Sequence, residues 1–291
     1  MISEPAESDH VASAAVGRTS AGGQRRVAPA THNAYVLHSY DWSESSLIVE
    51  LFTREAGRVV AAAKGAKRPT SQLRAVLMPF QSVIAQFARS KGPDSTEVRT
   101  LRSAEWGGGD APALRGANWF AGFYLNELLL RLLARDDPHP RLFDAYAVTL
   151  RSLGGSETRS EAALRTFELL LLHETGVLPE FGRTTLTQVP LSPEGRYVLH
   201  AERGLLEAAS GEASLPGQTW LELAGALDHW AAQAPEAGAL EPLQSACLRE
   251  RHTLKALLRS QLHYHLGGAR LRTRQLLVET QRLLDTTHPP K

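Results

Sequence analysis

At residues 107–112 the hydrophobic pattern of the chain changes its period. Gly107-Gly108-Gly109-Asp110-Ala111-Pro112 parts strand-like sequence from helix-like sequence, and apolar periods of two and of 3.6 belong to different elements. Before the break stand five short runs rich in β-branched and aromatic residues, at 35–40, 46–52, 57–64, 80–87 and 98–101. Turn signals at Glu55-Ala56-Gly57 and Lys91-Gly92-Pro93-Asp94 separate some of them. Short strands at this spacing predict a small antiparallel barrel, with an OB-fold as the leading candidate and other small barrels still open. Beyond the break, Trp119, Phe120, Phe123, Tyr124, Leu128, Leu132 and Leu133 form a helical stripe that stops at Asp136-Asp137-Pro138. Further helices are expected over 141–153, 161–174, from Thr219 (with capping-box spacing to Glu222), about 242–266 and about 274–284. Residues 180–215, rich in Pro, Gly, Ser and Thr, read as an irregular insert with room for a hairpin of 197–200 against 204–206. The expected class is α+β multidomain: a disordered tail over 1–31, an OB-fold domain over 32–108, and a helical domain over 112–285 carrying the insert.

Composition narrows the class. Of 291 residues, 43% are hydrophobic and 22% charged, which is ordinary for a soluble globular chain. The first 31 positions contain no Leu, Phe, Trp or Tyr, so apolar burial cannot offset their ordering entropy. A single cysteine, Cys247, removes intramolecular disulfides and every zinc site built on paired thiols. No run nears the roughly 18 apolar residues that would span a bilayer, and the acidic start lacks a secretory core. A soluble, cytoplasmic protein without a membrane partner is expected. The net charge of +1 argues for nothing by itself, so any polyanion partner must show in local clustering.

The sequence offers no defensible catalytic centre. It lacks a phosphate-cradling G-x-x-x-x-G-K-[ST] and a G-x-S-x-G elbow. His263 and His265 stand two apart on a predicted helix and point apart. Glu127 and Glu174 read as solvated helix edges. No cofactor is expected. Basic clustering is more informative. Arg54, Arg58, Lys64, Lys67, Arg68 and Arg74 stand against one acid, Glu55. On a barrel they could track a phosphate backbone, with an ordinary solvated loop as the competing reading. Tyr40 and Trp42 fall at a turn and are the aromatics expected to be exposed. Near the C-terminus, Arg249, Arg251, Lys255, Arg259, Arg270, Arg272, Arg274 and Arg282 meet only Glu250 and Glu279. Arg251, Lys255 and Arg259 lie four apart on one face, which without acids repels itself and favours a polyanion or acidic peptide over a merely solvated surface.

A set of ordered motifs then carries a resemblance. They are Val36-Leu37-His38-Ser39-Tyr40, Trp42-Ser43-Glu44-Ser45-Ser46-Leu47, Phe52-Thr53-Arg54-Glu55-Ala56-Gly57-Arg58-Val59, Ala63-Lys64-Gly65-Ala66-Lys67-Arg68 and Leu77-Met78-Pro79-Phe80. Thr100-Leu101-Arg102-Ser103-Ala104-Glu105, Tyr124-Leu125-Asn126-Glu127-Leu128-Leu129, Ala163-Leu164-Arg165-Thr166-Phe167-Glu168-Leu169 and Leu266-Gly267-Gly268-Ala269-Arg270-Leu271-Arg272-Thr273-Arg274 follow. In order and spacing, from 34 to 277, the chain resembles the RecO recombination mediators of bacterial DNA repair. The resemblance implies a non-enzymatic, nucleoid-associated protein that binds single- and double-stranded DNA and anneals complementary strands. It would work with RecR to help RecA load onto DNA coated by single-stranded-DNA-binding protein, whose acidic tail it would contact. The resemblance also makes Arg165 a partner residue beside Arg251, Lys255 and Arg259. Leu164, Phe167 and Leu171 are then expected in the core and the Arg165 guanidinium exposed, against a reading in which it pairs with Glu161 or Glu168. Many family members carry a four-cysteine zinc module in the insert, but 180–215 holds no cysteine, so the chain looks like the zinc-free branch. An RNA-binding or translation-associated OB protein is the alternative, and an enzyme with an enclosed pocket comes third.

Overall fold

A computed structural model describes residues 30–88, 98–108, 114–232, 238–276 and 279. The expected tail lies outside the described residues up to position 29, but its last residue, Thr31, already begins the first strand. The turn signal at 91–94 and most of the 107–112 break also lie outside them.

Five strands, β1 (Thr31–Asp41), β2 (Leu47–Thr53), β3 (Gly57–Ala63), β4 (Ser82–Phe87) and β5 (Arg99–Trp106), close a barrel in the order β1-β2-β3-β5-β4. The fold is OB-like. Four of its seams are antiparallel as expected. The closing seam is parallel, pairing Ala61 with Arg99 and Ala62 with Thr100. Parallel pairing requires a crossover, and it runs through a short helix that sequence reading passes over, α1 (Gln72–Val76), and β4. Val36, Val49, Leu51, Val59, Ala61, Val83 and Ala85 fill the barrel. Their neighbours Leu37 and Phe52 point outward into a second core made with the helices. A strand covered on both faces reads as a continuous apolar run, which is why the alternation fades along β2.

The rest of the described chain is mostly helical: α2 (Ala117–Leu132), α3 (Pro140–Ser152), α4 (Glu157–Glu174), α5 (Gly217–Ala232), α6 (Glu241–Arg249) and α7 (Arg251–His265). The insert holds the expected hairpin, β6 (Arg196–His200) with β7 (Gly204–Glu207), and adds a short third strand, β8 (Leu215–Pro216), on the other side of β6. The helix expected over 242–266 is two helices, broken at Glu250 with φ −111° and ψ 32°. Its apolar positions continue through the break, so periodicity conceals it. The predicted cap at Thr219 is also displaced. The helix begins at Gly217, Thr219 is buried in its first turn, and Glu222 accepts from Gln218 (3.0 Å) and pairs with Arg249.

Helix α4 is the centre of the helical part, with Ala163, Phe167 and Leu169 to Leu172 all fully buried. From Ala162 to Leu172 it is buried nearly all round, polar Arg165, Thr166 and Glu168 included, so this stretch has neighbours on nearly every side. Cys247 packs beside it, and burial pushes its thiol up to about 12, leaving a protonated, unreactive side chain. Barrel and helices meet over Tyr35, Phe52, Phe143 and Tyr146, with ring centroids 5.1 Å apart for Tyr35–Tyr146 and 5.5 Å for Phe52–Phe143. Asn126 donates to the Leu37 carbonyl (2.8 Å) and accepts from the Tyr146 hydroxyl. The two parts thus share the second core, while the barrel keeps its own inside.

His139 ties the start of α3 to the end of α4. Its Nδ1 lies 3.4 Å from Glu174 and its Nε2 3.4 Å from Asp137. The Glu174 hydrogen bond, outweighing the burial that opposes it, holds the imidazole pKa above its ordinary value of 6.5. The linkage stabilises the fold fully below pH 6.5, and that stabilisation is lost as pH rises through the elevated folded-state value. Urea melts spanning both sides of that window should show a downward step that His139→Gln removes; an unchanged profile in the variant would place the titration elsewhere.

Candidate nucleic-acid interface

Six cations clustered in sequence separate in space because they lie along one strand and its flanks. Arg58 opens β3 and Lys64 follows its last residue, so the two stand on the order of 20 Å apart at about 3.3 Å per residue. At the Arg58 end the cations are committed. Arg54 makes a bidentate pair with Asp144 of α3 (3.1 and 3.0 Å), a hydrogen bond that raises the guanidinium's pKa further. Arg58 pairs with Glu50 (3.2 Å), donates to the Leu133 carbonyl (3.1 Å), and keeps 14% of its side chain exposed. Arg135 also reaches Glu50, at 3.5 Å. Both arginines therefore bind the barrel to the helices, where the sequence pattern suggested a phosphate-facing row.

At the other end the side chains face solvent. Lys64, Arg68 and Arg74 are exposed. The turn after β3 is knitted to the β1–β2 loop: Lys67 N–H donates to the Ser45 carbonyl (2.9 Å) and Gly65 N–H to the Ser46 hydroxyl (3.3 Å). Lys67 Nζ donates to the Ser43 carbonyl (3.0 Å) and lies 3.2 Å from the Asp41 carboxylate. Past an irregularity between Val36 and His38, β1 runs on with His38 to Asp41 exposed. Tyr40 and Trp42 are 47% and 56% exposed, as expected, but only Trp42 stands at the turn; Tyr40 is still in β1, paired with Ile48. The arrangement sets open aromatic faces beside open cations, which suits an unpaired polyanionic strand.

The second basic region is built differently from its sequence expectation. Arg165 is only 6% exposed. Its guanidinium lies 2.7 Å from Glu168, which also accepts from the Tyr124 hydroxyl (2.6 Å). Arg165 Nε and Glu168 Oε2 have no hydrogen-bond partner. Burial raises the Glu168 pKa, and Arg165 opposes the rise. The expected exposed flank does not exist, because α4 is covered on that side as well. Arg251 and Lys255 are not a self-repelling face either. Both reach Glu161 of α4, at 3.6 and 3.3 Å. Arg259 is exposed and close enough to Arg274 to lower its pKa, after the larger effect of burial.

Glu127, read as a solvated edge, is a cap. It accepts from Arg272 N–H (2.9 Å), Thr273 N–H (3.0 Å) and the Thr273 hydroxyl (2.7 Å). Burial pushes its carboxyl up, but these bonds and Arg131 outweigh it and hold the pKa below the usual range. This cap fixes the motif ending at Arg274 onto α2, and only its distant backbone partners could have revealed it.

The insert does not fit a structural zinc. Its reversal is held by Thr184, which accepts from Val189 N–H (3.1 Å) and lies 2.6 Å from the Thr187 hydroxyl. Leu191 N–H closes onto the Gly182 carbonyl at 3.1 Å. Neutral hydroxyls are poor zinc ligands beside thiolate and imidazole. His200 is engaged by Glu212 at 3.1 Å. Among the described residues no group of three His, Cys, Asp or Glu could hold a metal, and no helix is long and apolar enough to cross a membrane.

Comparison with known proteins covers both parts of the fold. The family profile described as Recombination protein O N terminal matches residues 28–106, and Recombination protein O C terminal matches 115–275. DNA repair protein RecO of Variovorax paradoxus is 48% identical over 255 residues, covering 86% of this chain and 96% of the relative. The proteins of the same name from Polaromonas sp. and Delftia acidovorans are 47% and 48% identical over 252 residues, with the same shares covered. Barrel, helical part and connecting order are matched together, and the chain belongs to the RecO family of DNA repair proteins.

Proposed function

We propose that this protein is a recombination mediator that binds and anneals single-stranded DNA on the loop end of its barrel and, with RecR, helps RecA load onto DNA coated by single-stranded-DNA-binding protein. As a RecO-family protein it acts by binding and not by catalysis. The observation that carries the reading is the exposed Lys64 and Arg68 on the turn bonded to the Tyr40–Trp42 hairpin, with the exposed Arg74 following on α1, while Arg54 and Arg58 are neutralised by acids of the protein itself. Duplex DNA would engage the same cations through its backbone alone. The acidic tail of single-stranded-DNA-binding protein is assigned to the second basic region, with Arg251, Lys255 and Arg259 as its contacts. Arg165 serves there as the buried charge that supports α4, and its partner role is indirect. The reading places the protein in the bacterial cytoplasm, associated with the nucleoid.

Each phosphate contact removed should flatten the plot of log affinity against log salt by about 0.7 for single strands. The triple variant Lys64→Ala/Arg68→Ala/Arg74→Ala should therefore lose about 2 from that slope. Arg54→Ala should leave it unchanged. Fluorescence anisotropy with a labelled oligonucleotide across a salt series measures both. An unaltered slope in the triple variant would move the DNA surface to the 249–274 stretch.

A further inference from the structure

We infer that the β1–β2 hairpin is a base-stacking arm that makes the protein prefer single strands over duplex, and that Lys67 positions this arm instead of binding phosphate. The inference rests on the reading of the barrel's loop end as a DNA surface. His38 and Tyr40 stand on the same face of β1 by its period of two, and their rings meet edge to face at 4.4 Å. His38 thus packs its ring against the phenol near the strand end. Trp42 follows at the turn, its N–H donating to the Ser46 carbonyl (3.2 Å), with Ser43 N–H on the same carbonyl (3.3 Å). The indole is anchored through its backbone while its ring faces solvent.

The indole and the phenol, though His38 backs one edge of the phenol, leave about half of each side chain's surface open to solvent. The occupant is indicated by charge. The turn hydrogen-bonded to the arm carries Lys64 and Arg68, both exposed. Aromatic faces flanked by cations match the bases and phosphates of an unpaired strand, whereas a duplex keeps its base faces inside its own stack. Lys67 differs from its neighbours. Its ammonium is shared by Asp41 and the Ser43 carbonyl, on either side of Trp42. It clamps the loop that presents the indole, and the Asp41 carboxylate cancels its charge toward DNA.

Affinities for oligo(dT) and for a duplex of the same length, measured across salt, test this. Trp42→Ala should lower the ratio of single-strand to duplex affinity by about tenfold or more, and Trp42→Phe should restore most of it. Quenching of tryptophan emission by oligo(dT) should shrink in Trp42→Phe. Lys67→Ala should weaken single-strand binding with the salt slope unchanged, whereas Arg68→Ala should lower that slope by about 0.7. A Trp42→Ala ratio equal to that of the parent protein overturns the stacking arm, and a Lys67→Ala slope that falls like that of Arg68→Ala overturns the positioning role. Failure of the triple cation variant to change DNA binding would instead sink the underlying assignment of the surface, so the two failures are distinguishable.

Discussion

Arg165→Glu is expected to destabilise the protein by about 3–5 kcal/mol, the usual cost of breaking a buried ion pair from one side. The substitution leaves Glu168 fully buried and sets a second carboxylate where the guanidinium lay 2.7 Å away. Tyr124 can donate one proton to Glu168, which cannot compensate two acids at close range in a low dielectric. Replacing both partners with apolar residues of similar shape, Arg165→Met/Glu168→Leu, should recover most of the loss, because the desolvation cost disappears along with the attraction. Urea unfolding of the three proteins measures this. A wild-type midpoint for Arg165→Glu would show that the guanidinium is in fact solvated. The result also decides how the proposed acidic-tail site can be probed. Reversing Arg165 would reduce peptide binding simply by unfolding α4, and reversing Arg251 or Lys255 would also repel Glu161, so reversal of the exposed Arg259 is the cleaner probe of the proposed tail site.

Arg165 shows where sequence reading stops. A helical wheel assigns α4 a core side and a flank, but α2, α3, α6 and α7 all pack on it, so a flank position is covered too. The basic run from Arg54 to Arg74 fails for a related reason. Its apparent excess of charge ignores Asp144, which lies 90 positions from Arg54 in sequence, and Glu50, which stands across the barrel seam from Arg58 as well as within reach of Arg135. Local statistics carry no information about a partner as distant as Asp144, whereas Glu50, only eight positions from Arg58, was near enough to count but lies just outside the basic run. What was legible is what depends on near neighbours. The short β-branched runs that hold Val36, Val49, Val59 and Val83 mark strands, and the period change after Trp106 marks the passage from barrel to helices. Trp42 is exposed because it sits at the turn; Tyr40 is exposed for another reason, since it still lies in β1, paired with Ile48, on a stretch of the strand that nothing described covers. The short α1, with five residues, offers too little periodicity to be seen, and without it the parallel closure of β3 on β5 could not be inferred.

Gly57→Ala should cost about 2–5 kcal/mol, and its comparison with Gly108→Ala isolates why. Both glycines have positive φ, 65° and 80°, so both substitutions incur the intrinsic penalty of about 1–2 kcal/mol for a side chain in that region. A Cβ on Gly108 would meet nothing within 4 Å, but one on Gly57 would lie 1.8 Å from the Asp137 carbonyl oxygen. Backbone cannot step aside as a side chain can, so the β2–β3 turn and the α2–α3 connection must separate, an overpacking cost of about 1–3 kcal/mol. That turn is held from within by Thr53, whose hydroxyl donates to the Gly57 carbonyl (2.9 Å) and accepts from Ala56 N–H (3.0 Å). It is held from outside by Asp136 N–H on the Arg58 carbonyl (2.9 Å) and by the Arg58 side chain on the Leu133 carbonyl. Separation would strain these bonds and the Arg54–Asp144 pair together, and with them the fixed placement of the proposed DNA surface relative to the helical part. Thermal unfolding should therefore show a larger loss for Gly57→Ala than for Gly108→Ala, and strand annealing should fall in the first variant even below its melting transition. Equal losses in the two variants would mean that the turn is free to move, and that the ion pairs around it, not backbone contact, set the junction between barrel and helices.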